Sequence, residues 1–197
     1  MQTNPAKQKK STLRKHLREK RAGLTQAYRI DCAKLVAESL AAQPIWKDLR
    51  SIGLYSAVNH ELDCSLIARA AWQAGKMVYL PCISGAELEF RLWGQNESLA
   101  EGAYGILEPS TEMPQTHSLD LLITPLLGWS TNGHRLGMGG GYYDRLLSAK
   151  TMTIGATLGL GFEVQRSDEI DKCLEPWDRP LEGILTETGF KRTNQVD

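Results

Sequence analysis

From Ser51 onward the chain alternates short apolar runs with helical segments, and this alternation constrains the fold more than any other feature. Ile52 to Tyr55 is an apolar run of strand length, Ser65 to Ala74 carries a helical pattern that stops at Gly75, and Met77 to Leu80 is apolar again. Strand, helix and strand in succession make a βαβ unit, whose two strands pair in parallel with the helix packed across them. Leu88, Phe90 and Leu92 alternate like a half-exposed strand, whereas Asp120 to Leu127 is a continuous apolar run of the kind buried in a parallel sheet. Thr153 to Leu158 and Ile184 to Thr186 read as further strands. The expected fold class is α/β: a three-layer α/β/α sandwich with a mostly parallel open sheet, preceded by two N-terminal helices. Sheets of this kind take their ligands at the carboxyl ends of the strands. A chain of 197 residues suits a single domain spanning 1–197.

The N-terminal helices differ in character. Leu13, Leu17 and Leu24 share a stripe while Lys7, Lys9, Lys10, Arg14, Lys15, Arg18, Lys20, Arg21 and Arg29 face only Glu19, which predicts a basic amphipathic helix lying on the domain surface. A transit peptide can have such a composition, but few serines and a smooth passage into the next helix place the segment in the mature fold. Thr25 is positioned to cap a second helix whose apolar set is Tyr28, Cys32, Leu35, Val36, Ser39 and Leu40, ending at Pro44.

After the Asp120 to Leu127 run comes the segment Arg135-Leu136-Gly137-Met138-Gly139-Gly140-Gly141-Tyr142-Tyr143-Asp144, with a helix expected to start near Tyr142. Glycines allow positive φ and close approach to a ligand, and amides at a helix N-terminus point at anionic oxygens, so the segment suits a phosphate cradle. It is neither of the common nucleotide fingerprints: Tyr142 stands where GxGxxG needs its last glycine, and no Gly-Lys-Ser/Thr follows. A purely structural glycine turn is the alternative. The flanking charges favour a ligand, because Arg135 suits phosphate and Asp144 suits magnesium.

Lys plus Arg and Asp plus Glu both count 23, so no global field selects for nucleic acid or an anionic membrane. No stretch approaches the roughly 20 apolar residues of a membrane span. Cys32, Cys64, Cys82 and Cys173 are widely separated and lack zinc-ligand spacing, so they read as buried thiols in a reducing cytoplasm.

The segment Arg135 to Asp144 resembles the signature of the 5-formyltetrahydrofolate cyclo-ligases, also called 5,10-methenyltetrahydrofolate synthetases. Lys10, Leu13 and Arg14 resemble the family's N-terminal K-x-x-L-R, and Glu61-Leu62-Asp63 its acidic segment after the first strand. Gly75-Lys76, Pro81, Gly105-Ile106, Glu108-Pro109, Gln165 and Trp177-Asp178 recur in the family's order. The resemblance covers about the whole chain. It implies ATP-dependent cyclisation of 5-formyltetrahydrofolate to 5,10-methenyltetrahydrofolate with release of ADP and phosphate. It also implies that Lys10 and Arg14 contact ATP phosphates and that Arg135 to Tyr143 wrap the nucleotide. Met138, Gly139, Gly140, Gly141 and Tyr142 would also touch folate, Ser56 and Glu61 would bind substrate, and Asp144 and Asp178 would hold Mg2+. Some relatives place cations where this chain has Met138 and Gly140, and Trp129 and Glu182 stand where Phe and Asp are common; both of the latter bear on expected pocket shape.

Phosphoryl transfer needs positioning and charge neutralisation rather than a nucleophile, so the sequence's lack of a Ser-His-Asp arrangement fits. The expected partners are folate and ATP alone, acting on a monomer without nucleic acid or membrane. Two other readings stay open at this point: a nucleic-acid-binding module using the basic N-terminal helix, and a sugar-phosphate or coenzyme-A enzyme on a similar sheet.

Overall fold

The structure is a computed structural model and describes residues 5–149 and 151–193. In chain order the elements are α1 (Pro5–Ala22), α2 (Gln26–Ala41), β1 (Ser51–Gly53), α3 (Ser65–Gln73), β2 (Met77–Ser84), β3 (Glu87–Leu92), β4 (Ala100–Glu101), β5 (Leu107–Glu108), β6 (Gln115–Thr116) and β7 (Ser118–Pro125). They continue with β8 (Gly128–Trp129), β9 (Arg135–Leu136), α4 (Tyr142–Ala149), β10 (Thr153–Leu160), β11 (Gly183–Thr186) and β12 (Gly189–Arg192).

Eight strands form one sheet in the order β12-β11-β10-β7-β1-β2-β3-β6. The central run from β11 to β2 is parallel, and antiparallel strands flank it on both edges. Alternation divides the side chains. Val78, Leu80, Leu121 and Ile123 join Cys32, Val36 and Leu40 of α2 and Ile67, Ala68 and Ala71 of α3 in the larger core, while Tyr79, Phe90 and Leu122 pack with Leu146 of α4. Helices therefore cover both faces, giving the three layers expected of a mainly parallel sheet. The chain leaves β1 toward β2 on one side and later returns beside β1 as β7, so the crevice beyond the carboxyl ends of β1 and β7 is the topological switch point.

Two sequence expectations are revised. In α2 the Thr25 hydroxyl accepts the Tyr28 N–H at 3.2 Å as a cap, but Tyr28 and Leu35 are exposed and Ala33 takes a core position. The helix meets the sheet along a narrower stripe than its apolar pattern suggested. More consequential is α1, which is not a purely surface helix: Leu17 is buried against Leu127, Leu136 and Ile170, and Lys10 and Arg21 are buried with it. Leu24 lies beyond the helix and packs on the larger core instead. Lys10, Arg14, Leu17 and Arg21 recur at helical spacing, so the buried stripe of α1 is largely cationic. It is tolerated because the long aliphatic stems pack while the charged heads find partners.

One carboxylate fixes the amino ends of the central strands. Asp120 Oδ2 accepts the N–H groups of Arg50 at 2.7 Å and Ser51 at 2.9 Å, and these bonds hold its carboxyl below the usual range despite some desolvation. A depressed carboxyl contributes stability above its unfolded pKa and loses it as pH falls through the folded one. Asp120→Ala is therefore expected to lower stability by about 1–2 kcal/mol at neutral pH, and by less in acid, in urea unfolding followed by circular dichroism.

Candidate active site

The strand ends at the switch point open onto a cavity of about 660 Å³. The residues expected from the sequence to bind nucleotide, folate or metal all line it: Lys10 and Arg14 from α1, Ser56 and Glu61 from the segment after β1, Arg135 to Asp144, and Asp178. Residues separated by more than a hundred positions thus converge at one crevice. What the structure adds is how they are paired.

The cavity wall has two parts of different chemistry. In the first, Lys10 Nζ lies 2.7 Å from Asp178 and 2.8 Å from Glu175. Burial alone would lower this ammonium, but the hydrogen bonds and charges of Asp178 and Glu175 outweigh it and raise the pKa above the ordinary lysine value. Arg14 Nε donates to the Gly137 carbonyl at 2.9 Å, tying α1 to the glycine turn. Arg135 Nη2 donates to Asp144 Oδ1 at 2.5 Å, and the Arg135 guanidinium lies 5.7 Å from the centre of the Tyr143 ring. Lys10 and Arg135, expected to meet phosphate, are thus paired with Asp178 and Asp144, expected to hold the metal.

The glycine turn is built for close approach. Gly139 and Gly141 have φ of 107° and 71°, a backbone that side chains rarely adopt, and α4 begins at Tyr142. The cations absent from Met138 and Gly140 arrive from other elements. Arg14 reaches the turn from α1, while Arg145 Nη1 donates to the Gly140 carbonyl at 3.1 Å and its guanidinium covers the Tyr142 ring at 4.8 Å.

Apolar and aromatic side chains make up much of the remaining wall, among them Tyr55, Pro81, Ile83, Leu88 and Ile106, and Tyr55 and Tyr143 face Glu61. Glu61 Oε2 accepts the Val58 N–H at 3.2 Å, and Oε1 lies 3.6 Å from Arg21 Nη1. Burial raises this carboxyl above its usual range, against the opposing pull of the Val58 N–H and of Arg21. The Tyr143 hydroxyl is buried with no hydrogen-bond partner among the described residues. Over the mouth stands Tyr104, 81% exposed, whose hydroxyl comes 3.5 Å from that of Tyr142. It is carried by the β4–β5 arm at a φ of 58°, with Gly105 next at 71°, and the arm is fastened where Glu108 Oε1 accepts the Ile83 N–H at 3.2 Å.

Among the residues that line or back the cavity, Arg21, Tyr104 and Glu175 were not expected from the sequence to belong to it. Arg21 had a signal, since it continues the stripe of Lys10, Arg14 and Leu17 at helical spacing; following the leucines alone hid it. Three other residues named from the sequence prove structural. Gln165, fully buried, donates to the Leu126 and Leu127 carbonyls at 3.1 and 2.9 Å and so holds the carboxyl end of β7. Trp129, buried with its Nε1 on the Phe162 carbonyl at 3.1 Å, and Glu182, bonded to Thr157, lie outside the cavity, so neither departure bears on its shape. Ser130, His134 and Asp171 do come together, contrary to expectation. However, Ser130 Oγ and His134 Nδ1 both face Asp171, at 2.7 and 2.8 Å, so the imidazole does not address the serine hydroxyl as a triad requires.

The sequence matches the profile of the 5-formyltetrahydrofolate cyclo-ligase family over residues 6–187. The chain belongs to that family. Similar proteins include the 5-formyltetrahydrofolate cyclo-ligase of Haemophilus influenzae, 28% identical over 90% of this chain and 97% of its own, and that of Escherichia coli K12, 29% identical over 86% and 96%. Among solved structures, the 5,10-methenyltetrahydrofolate synthetase of Aquifex aeolicus is 28% identical and superposes with a TM-score of 0.83 over 95% of this chain and 94% of its own. The cyclo-ligase match thus spans α1, the β1 loop and the glycine turn, three of the segments that line the cavity.

Proposed function

We propose that the chain catalyses the ATP-dependent conversion of 5-formyltetrahydrofolate to 5,10-methenyltetrahydrofolate, releasing ADP and phosphate. The observation that carries the reading is one cavity holding two unlike sets of recognition groups: cations with a glycine turn, and a buried carboxylate with apolar and aromatic walls. The first suits a nucleotide and the second suits a flat heterocycle with paired N–H donors.

The formyl group on nitrogen is a poor electrophile because resonance strengthens it. Transfer of the γ-phosphoryl group to the formyl oxygen forms the O–P bond, breaks the bond to ADP and turns that oxygen into a leaving group. The neighbouring folate nitrogen then attacks the formyl carbon and loses its proton. Phosphate departs with the C–O electron pair, closing the methenyl bridge. Both reactants are held in one crevice, so orientation supplies much of the rate. Lys10, Arg14 and Arg135 neutralise phosphate charge, the amides of Gly137 to Tyr142 contact phosphate oxygens, and Glu61 and Ser56 orient the pterin.

Asp144 and Asp178 suit magnesium as hard oxygen donors on the cavity wall. Among the described residues no group of three or more His, Cys, Asp or Glu is arranged to hold a metal. Magnesium commonly takes one or two carboxylates and completes its shell with phosphate oxygens and water. When bound, magnesium supplies charge neutralisation on the phosphates.

The inward turn of Lys10, Arg14 and Arg21 speaks against a nucleic-acid surface on α1, and no described helix is long and apolar enough to cross a membrane. The direct test is an absorbance time course with 5-formyltetrahydrofolate and MgATP, with ADP measured in parallel. Methenyl product matched by ADP only in the complete mixture is the expected result, and no product at high enzyme concentration would exclude the reaction. Tyr104→Ala is expected to raise the folate KM about three- to tenfold with little change in kcat, since it removes an aromatic face from the mouth.

A further inference from the structure

We infer that Arg21 is a positioning residue for substrate recognition: its buried guanidinium holds Glu61 as a carboxylate turned into the cavity, ready to accept the paired N–H donors of a pterin-like ring. The choice of ligand rests on the folate reading above; the claim about Glu61 does not.

Arg21 sits in the last turn of α1, 1% exposed, behind Glu61 rather than on the cavity wall. Its Nη1 is 3.6 Å from Glu61 Oε1. The remaining donors are poorly served. Nη1 reaches the Leu126 carbonyl only at 3.4 Å, Nη2 has the Met138 sulfur at 4.0 Å, and Nε has no partner among the described residues. A buried cation with so few acceptors is a poor way to stabilise a fold, since charge burial is offset only by good pairing. Among the described residues its one charged partner is Glu61, and it sits where that carboxylate meets the glycine turn.

The other side of the pair is also held at a cost. Asn59 and His60 both adopt left-handed backbone, φ 50° and 65°, immediately before Glu61. Neither is glycine, and strain of this kind persists where the surroundings impose it, often at binding sites. The turn closes with the Glu61 N–H on the Val58 carbonyl at 2.9 Å and the Val58 N–H on the Glu61 carboxylate, which sends the side chain back into the crevice.

The titratable groups around the pair leave Arg21 as its counterion. Tyr55, Cys64 and Tyr143 face Glu61, and burial pushes all three well up, so they are neutral near pH 7. Arg18, on the same helix, acts on Arg21 as a like charge. Burial raises the Glu61 carboxyl; the Val58 N–H and Arg21 oppose that rise. Without Arg21, a carboxyl buried here would take up a proton nearer neutrality, and a protonated Glu61 would lose acceptor capacity toward two N–H donors.

Two readouts on the full-length protein test this. The first needs no ligand: 13C NMR of carboxyl-labelled glutamate, with the Glu61 resonance assigned by its loss in Glu61→Gln. In Arg21→Met the Glu61 midpoint is expected to move to higher pH than in the wild type; an unchanged midpoint overturns the proposal. Arg21→Gln, neutral but able to keep the Leu126 hydrogen bond, gives the same reading if the methionine variant fails to fold. The second is calorimetric binding of 5-formyltetrahydrofolate, without nucleotide, between pH 6 and 9. The variant is expected to bind roughly tenfold more weakly near pH 7 and to recover as pH rises, while MgATP affinity stays unchanged. A pH-independent loss, or equal loss for folate and MgATP, would mark Arg21 as merely structural and overturn the proposal. Absence of folate binding in the wild type would refute the folate reading alone, leaving the carboxyl titration to judge Arg21.

Discussion

Arg135→Ala and Asp144→Asn are each expected to reduce turnover by roughly a thousandfold, the scale on which loss of one charge-stabilising group slows phosphoryl and acyl transfer. Their costs to stability should differ. The Arg135 side chain is 5% exposed and that of Asp144 37%, so removing the arginine leaves a carboxylate that water can reach. Removing the carboxylate, as in Asp144→Ala, leaves a buried guanidinium whose Nε already has no partner. Arg135→Ala should therefore unfold close to the wild type, whereas Asp144→Ala should lose about 1–3 kcal/mol, and Asp144→Asn less because its amide oxygen still accepts a hydrogen bond. Single-turnover kinetics paired with urea unfolding separates the effects. Near wild-type rates in Arg135→Ala or Asp144→Asn would remove that residue from the mechanism.

Lys10→Met is expected to raise the KM for MgATP by roughly a hundredfold, with the folate KM nearly unchanged. The ammonium is the cation between Glu175 and Asp178, and without it two carboxylates face the phosphate end with nothing to balance them. Loss of a cation and exposure of two anions act in the same direction on a polyphosphate ligand, and at cavity distances each contributes on the scale of 1–3 kcal/mol. Raised magnesium should restore part of the affinity by screening the carboxylates. Equal increases in both KM values would show instead that Lys10 holds α1 in place, which would assign it a structural rather than a ligand role.

The same pairings show how charge is balanced along the cavity wall. Lys10 with Asp178 and Arg135 with Asp144 satisfy one another at contact distance, so phosphate and metal would enter by exchanging partners rather than by filling a set of bare charges. This also explains how a glycine turn carrying Met138 and Gly140 in place of cations can still sit in a positive field. Arg14 from α1 and Arg145 from α4 bond its carbonyls from either side.

Much of the architecture was legible in the chain because it rests on local periodicity. The continuous apolar run to Leu127 became the central strand β7, the alternation of Leu88, Phe90 and Leu92 became an antiparallel neighbour of β2, and Thr25 and Gly75 delimit helices as their chemistry requires. The glycine turn was equally legible, since only a backbone with positive φ needs glycine at Gly139 and Gly141. The burial of α1 was not, because a cation at a helical position gives the same pattern whether its head reaches water or a carboxylate far along the chain. Tertiary structure alone decided that Lys10 meets Asp178, that Arg21 meets Glu61, and that the arm bearing Tyr104 folds over the mouth. Periodicity records which face of an element is apolar; the partner of a long charged side chain is set only when the strand ends bring distant segments to the same crevice.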